Sequence, residues 1–210
     1  MKKILLSMMI VVILSGAAAC RKNSSAVIRD ADGRLNVTTT IFAPYDFVRQ
    51  IAGDRVNLSM LLPPGSESHS FEPSPRDIIT IQNSGLFIRV GGESENWIER
   101  ILKSMNTDNM EILALMEIVE LVEEEIIEGM EDHDDHEHDG FFARLFSFFK
   151  HDDHDEEGYD EHVWTSPKNA ILIVREITEQ LCKADPDNAV FFRQNAAAYI
   201  DYLRELDAAF

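Results

Sequence analysis

Between residues 35 and 116 the chain alternates short apolar runs with helix-length amphipathic segments, and this alternation limits its fold more than any other feature. Residues 35–40, 56–62 and 86–90 have strand length and are rich in valine, leucine, isoleucine or threonine, and 112–116 is a fourth candidate. Helical spacing runs over 44–51, 74–83 and 97–104. Pro44 is expected to open the first of these helices; Ser74 is expected to cap the second, with Pro75 in its first turn. Strands that alternate with helices build βα units, because parallel neighbours need a crossover connection. The expected class is therefore α/β: a parallel-sheet lobe with flanking helices over 35–184. In such sheets ligands collect at the carboxyl ends of the strands.

Composition changes abruptly at 117. From there to 162, acidic residues crowd together with six of the seven histidines, interrupted by an aromatic insert over 141–149. This is expected to be a long acidic, His-rich loop, not a domain. Two helices follow, one from Ser166 or Asn169 to Lys183, the other opened by Asp185-Pro186 and running to the last residue. The pattern Tyr199, Leu203, Leu206 is still helical when the chain stops at Phe210, without a glycine or other stop signal. A piece of a longer protein is expected.

At the other end, Lys2 and Lys3 precede an apolar run over 4–14 and small residues up to Cys20, which together read as an export signal over 1–20. The run is too short to span a bilayer comfortably. Two processing outcomes stay open. Ala17-Ala18-Ala19 suits an ordinary signal peptidase, whereas small residues ending in cysteine resemble a bacterial lipoprotein signal with Cys20 as the lipidated residue. Residue 17 is alanine where such signals commonly carry leucine. The expected location is outside the cytoplasm, either anchored to the cell membrane or free in the periplasm. A polar linker over 21–34 leads into the lobe. Cys182, the other cysteine, sits among the apolar Ile177 and Leu181 of a helix, so no disulfide framework is available and a core role is expected. A net charge of -19 argues against nucleic-acid binding, which needs a basic surface.

Two histidines stand at element boundaries. His69 lies in the proline- and glycine-rich stretch 63–75, directly after a strand, and His162 ends the acidic loop just before a helix. A neutral imidazole at such a place suits a borderline metal ion, although a lone loop histidine is more often a solvated surface residue. Their settings are more telling. His69-Ser70-Phe71-Glu72-Pro73-Ser74-Pro75 and Glu161-His162-Val163-Trp164-x-x-Pro167-x-Asn169-Ala170 resemble the metal-site motifs of the zinc and manganese substrate-binding lipoproteins of ABC transporters. Further likeness runs in order through Val37-Thr38-Thr39-Thr40, Asp185-Pro186-x-Asn188 and Asn195-Ala196-x-x-Tyr199.

That resemblance implies two α/β lobes joined by one long rigid helix and closing on a metal ion. Residues 185–210 would then begin the interdomain helix, and the second lobe would be absent from this chain. It also implies that His69 and His162 are first-lobe ligands, with a histidine and an acidic residue supplied by the other lobe; two ligands alone cannot close a tetrahedral site. The implied cargo is Zn2+, the implied partner a membrane permease of the ABC type, and the implied state a monomer without enzymatic activity. In that family a His- and acid-rich loop at this place is typical of zinc members rather than manganese members. Imidazole preference agrees.

The loop's His133, His136, His138, His151 and His154 form a dense set of imidazoles among carboxylates, which would attract divalent cations as a secondary metal site. Collecting, delivering or sensing zinc is one role; a solvated insert without a required role is the other. The insert over 141–149 would pack on its own or another lobe, or contact the membrane or permease. Glu67 and Glu72 beside His69 suggest a general base only superficially, since solvated or supporting carboxylates are commoner. Three alternatives stay in view: a manganese- or iron-binding member of the same family, a zinc-dependent hydrolase, and a surface metal-buffering or adhesion protein. The hydrolase needs an open coordination position and a placed base. No His-Glu-x-x-His helix, phosphate-binding glycine loop or Cys-x-x-Cys pair is present.

Overall fold

A computed structural model describes residues 27–66, 68, 70–122 and 159–209. The elements in chain order are β1 (Leu35–Thr39), α1 (Phe42–Ala52), β2 (Val56–Met60), α2 (Pro75–Gln82), β3 (Leu86–Arg89), α3 (Asn96–Ser104), β4 (Glu111–Ala114), α4 (Pro167–Ala184) and α5 (Ala189–Ala209). Short 3-10 turns cover Glu93–Glu95 and Val163–Thr165.

All four strands are parallel, in the order β2-β1-β3-β4. The chain steps one way from β1 to β2, then back across β1 to β3. Right-handed crossovers consequently place α1 on one face, and α2 and α3 on the other. Successive side chains of a strand point to opposite faces. Leu86 and Ile88 join Val37, Val48, Ile51, Ile177 and Phe192 in the larger core, while Phe87 between them joins Ile81, Trp97 and Ile98 in the smaller. Burial on both sides explains why β3 reads as a continuous apolar run.

The α/β expectation holds, with shifts at the edges. α1 starts at Phe42 and not at Pro44; Ile41 occupies the N-cap position with no side-chain cap. Pro44 falls in the first turn, where its missing N–H is one of the groups without an intrahelical partner. β2 ends at Met60, yet Leu61 and Leu62 still donate to the carbonyls of Thr39 and Thr40 at 3.0 and 2.9 Å. Ser74 caps α2 as expected, in a reciprocal capping box with Asp77. Of the two starts considered for α4, the residue in the N-cap position is Ser166. Cys182 is buried, and desolvation pushes its thiol pKa up, as suits a core cysteine.

α5 does more than leave the sheet. Phe192, Ala196, Ile200 and Leu203 lie along one buried face that packs on α4 and α1 within the larger core. The Asn195 amide donates to the Ile51 carbonyl at 3.0 Å and satisfies the end of α1. No helix among the described residues is long and apolar enough to cross a membrane.

Candidate metal-binding cleft

Because β1 sends its connection one way and β3 the other, a crevice opens at their carboxyl ends. A cleft of about 720 Å³ occupies this place. Its walls are Ile41 and Phe42 after β1, Leu62 to Ser66 and Ser68 after β2, Val90 and Ser94 after β3, and Glu161, His162 and Trp164 from the segment before α4.

His162 is the titratable ring at this mouth, with its side chain 64% exposed. Asp160 Oδ1 accepts its backbone N–H at 2.8 Å and lies 2.9 Å from ring Nδ1. The His162 backbone N–H is the main cause holding the Asp160 carboxyl below its ordinary range; slight desolvation opposes it and the imidazole adds to the lowering. An ionised carboxylate can only accept, so Nδ1 is the donor of this pair, and in the neutral ring that leaves the lone pair on Nε2. This is the tautomer a metal ligand needs. Trp164 flanks the ring, centroids 5.5 Å apart.

His69 and Glu67 lie outside the described residues. Ser68 lines the cleft, and Phe71 packs on Trp97 at 5.3 Å between centroids. Glu72 is exposed and is not among the cleft's lining residues. His133, His136, His138, His151, His154, Cys20 and the insert over 141–149 also lie outside the described residues.

Three side chains important to this geometry receive no role from the sequence, although Glu161 stands in the motif beside His162. Asp160 stood in plain view as a carboxylate two residues before a histidine, a spacing that favours a local side-chain bond to backbone. Glu161 and Ser94 meet across a gap of 67 positions: the Ser94 N–H donates to Glu161 Oε1 at 3.1 Å, and its hydroxyl donates to Oε2.

Behind the cleft, Glu95 is 1% exposed. Its Oε2 accepts the Gly91 N–H at 2.8 Å, whereas neither Oε1 nor the nearby Thr40 Oγ1 has a well-formed hydrogen bond. Desolvation pushes the Glu95 carboxyl pKa up, against the lowering effects of the Thr40 hydroxyl, the Gly91 and Val90 amides and Arg89. A folded pKa above the unfolded one contributes stability that is fully present below the unfolded value of 4.5 and is lost as pH rises through the folded value. Glu95→Gln removes that loss while keeping an acceptor for Gly91 and offering a donor to Thr40. Its Tm advantage over wild type is expected to grow as pH rises from about 4.5 toward neutrality in thermal melts; a difference independent of pH would contradict this.

Residues 37–210 match the model of the family described as zinc-uptake complex component A, periplasmic. The chain belongs to this family. Among its relatives, the zinc-binding lipoprotein AdcA of Streptococcus pneumoniae is 32% identical over 182 residues, covering 87% of this chain and 33% of AdcA. The high-affinity zinc uptake system protein ZnuA of Bacillus subtilis is 33% identical over 189 residues, covering 90% of this chain and 54% of that one. The crystal structure of Zn(II)-bound AdcA from S. pneumoniae superposes with a TM-score of 0.63 at 28% identity, covering 84% of this chain and 32% of AdcA. The metal-dependent lipoprotein YcdH from B. subtilis gives a TM-score of 0.64 at 28% identity, covering 84% and 54%. The chain thus spans about a third to a half of the length of these family members.

Proposed function

We propose that this chain carries the first lobe of an exported solute-binding protein that captures zinc and hands it to an ABC permease for import. The observation that carries this reading is the place of His162 at the crevice between β1 and β3, with Asp160 engaging its Nδ1 so that the neutral ring offers Nε2 to an ion. His69, on the loop after β2, is the second ligand of the same ion, and a histidine and an acidic side chain from a second lobe complete the tetrahedron. Such a closed site, without an open position for water, suits cargo binding and not hydrolysis, so no enzymatic role is assigned. Zinc, not manganese or iron, follows from the imidazole-rich ligand set and from the zinc-binding relatives.

The remaining parts fit the same scheme. Residues 1–20 are the export signal, with Cys20 as the lipid attachment point; 21–34 lead into the lobe, against which Val27 and Arg29 already pack; and α5 begins the connection to the second lobe. His133, His136, His138, His151 and His154 collect zinc weakly on the acidic loop. The protein acts as a monomer.

Imidazole ligands bind metal only when unprotonated. Zinc affinity of the intact protein is therefore expected to fall steeply between about pH 7.5 and pH 5.5, across the ordinary histidine range. Calorimetric titration at the two pH values tests this, and equal affinity at both would remove imidazole ligation from the proposal.

A further inference from the structure

His162 is oriented by two groups of its own segment, the Asp160 carboxylate and the Trp164 ring. They set the imidazole relative to that segment, but they do not set the segment relative to the sheet. Two anchors do. Val163, on one side, is buried in the larger core. Glu161, on the other, reaches across to the turn between β3 and α3, where both of its carboxylate oxygens are used by Ser94. Ser94 is itself buried, at 7% exposure.

A third observation shows that this contact is built into the backbone. The Glu161 side chain lies over Gly92, where a Cβ would come within 2.5 Å of Glu161 Cδ and 2.8 Å of Cγ. Gly92 also has φ +82°, a conformation that favours glycine. A missing side chain at 92, two donors at 94 and one carboxylate at 161 therefore form a clasp. It fastens the last residues before α4 to the carboxyl end of β3.

We propose that Glu161 is a positioning residue for metal capture: clasped by Ser94 over Gly92, it fixes the His162 segment at the sheet edge before the ion arrives. The inference rests on His162 being a ligand, as argued above. Its physical basis is preorganisation, since a ligand already held in place need not be ordered when the ion binds. The clasp works by geometry and not by charge. Glutamine is isosteric: its carbonyl oxygen accepts the Ser94 N–H, and its amide donates to the Ser94 hydroxyl, which serves equally as acceptor.

The test is zinc affinity of the intact protein, measured by competition with a chromophoric chelator. Glu161→Ala is expected to weaken binding about 10- to 100-fold, as removal of an outer-shell partner does. Glu161→Gln restores affinity to within about threefold of wild type, because both bonds are kept. Ser94→Ala gives a smaller loss, and the Ser94→Ala/Glu161→Ala double variant is no weaker than Glu161→Ala, the clasp being already open. Glu161→Gln as weak as Glu161→Ala would overturn the proposal by showing that the carboxylate acts on the ion through its charge. Wild-type affinity in Glu161→Ala would overturn it as well. If Glu161→Ala fails to fold, the Ser94→Ala loss and the Glu161→Gln retention decide. His162→Ala is the reference arm: a protein indifferent to that change refutes the ligand assignment, whereas sensitivity to His162→Ala with indifference to Glu161→Ala refutes the clasp alone.

Discussion

His162→Ala is expected to lower the zinc affinity of the intact protein by more than about a hundredfold, exceeding the 10- to 100-fold cost typical of outer-shell partners. In the proposed four-coordinate site the substitution removes one neutral imidazole nitrogen, and alanine offers the ion nothing in return. Asp160→Ala is expected to cost less, about tenfold, because the ring remains but loses the acceptor that fixes its tautomer and direction. Deleting 131–157 separates the two kinds of histidine. It should abolish weak, multiple zinc binding and leave the tight phase in place, whereas His69→Ala should remove the tight phase. Chelator competition measures all four proteins on one scale. A tight phase that survives His162→Ala, or disappears with the loop, would refute the assignment of the cleft.

Phe192→Ala destabilises the fold by about 3–5 kcal/mol, the range for deleting a buried aromatic ring. Phe192 is 0% exposed and belongs to the same core as Val48, Ile51 and Ile177, so its ring fastens α5 to α1 and α4. Val190, on the same helix but 69% exposed, serves as the control: Val190→Ala should change stability by no more than about 0.5 kcal/mol. Urea unfolding followed by circular dichroism gives both values. Equal, small effects would mean that α5 is only a connector leaning on the lobe and contributes nothing to its stability.

The features of the lobe and of its cleft differ in how far they can be seen in the chain itself. Helix α2 announces itself through Ser74, Pro75 and Asp77, which lie within four consecutive residues: Ser74 and Asp77 cap each other, and Pro75 occupies the first turn. The start of α1 does not, because Ile41 in the N-cap position has no side-chain oxygen to signal a cap, and Pro44 invites a later start. The same contrast appears at the cleft. Asp160 and His162 are two residues apart, and their bond follows from that spacing. Ser94 and Glu161 are 67 positions apart, and no periodicity relates them. Glu95, between the turn glycines and α3, reads as one more surface acid in an acidic chain; burial sets it apart.

By itself, the order of residues determined the parallel α/β class, most of the helices and the two histidine-bearing stretches. Such features are written in repeats of two or 3.6 residues and in short capping and turn motifs, where cause and effect are close neighbours. Tertiary structure alone decided that β1 lies between β2 and β3, and hence which loops meet at the crevice. It also decided that Glu161 closes on Ser94 and that one face of α5 is buried. These outcomes depend on crossover handedness and sheet register, which join residues far apart along the chain only once the layers have packed.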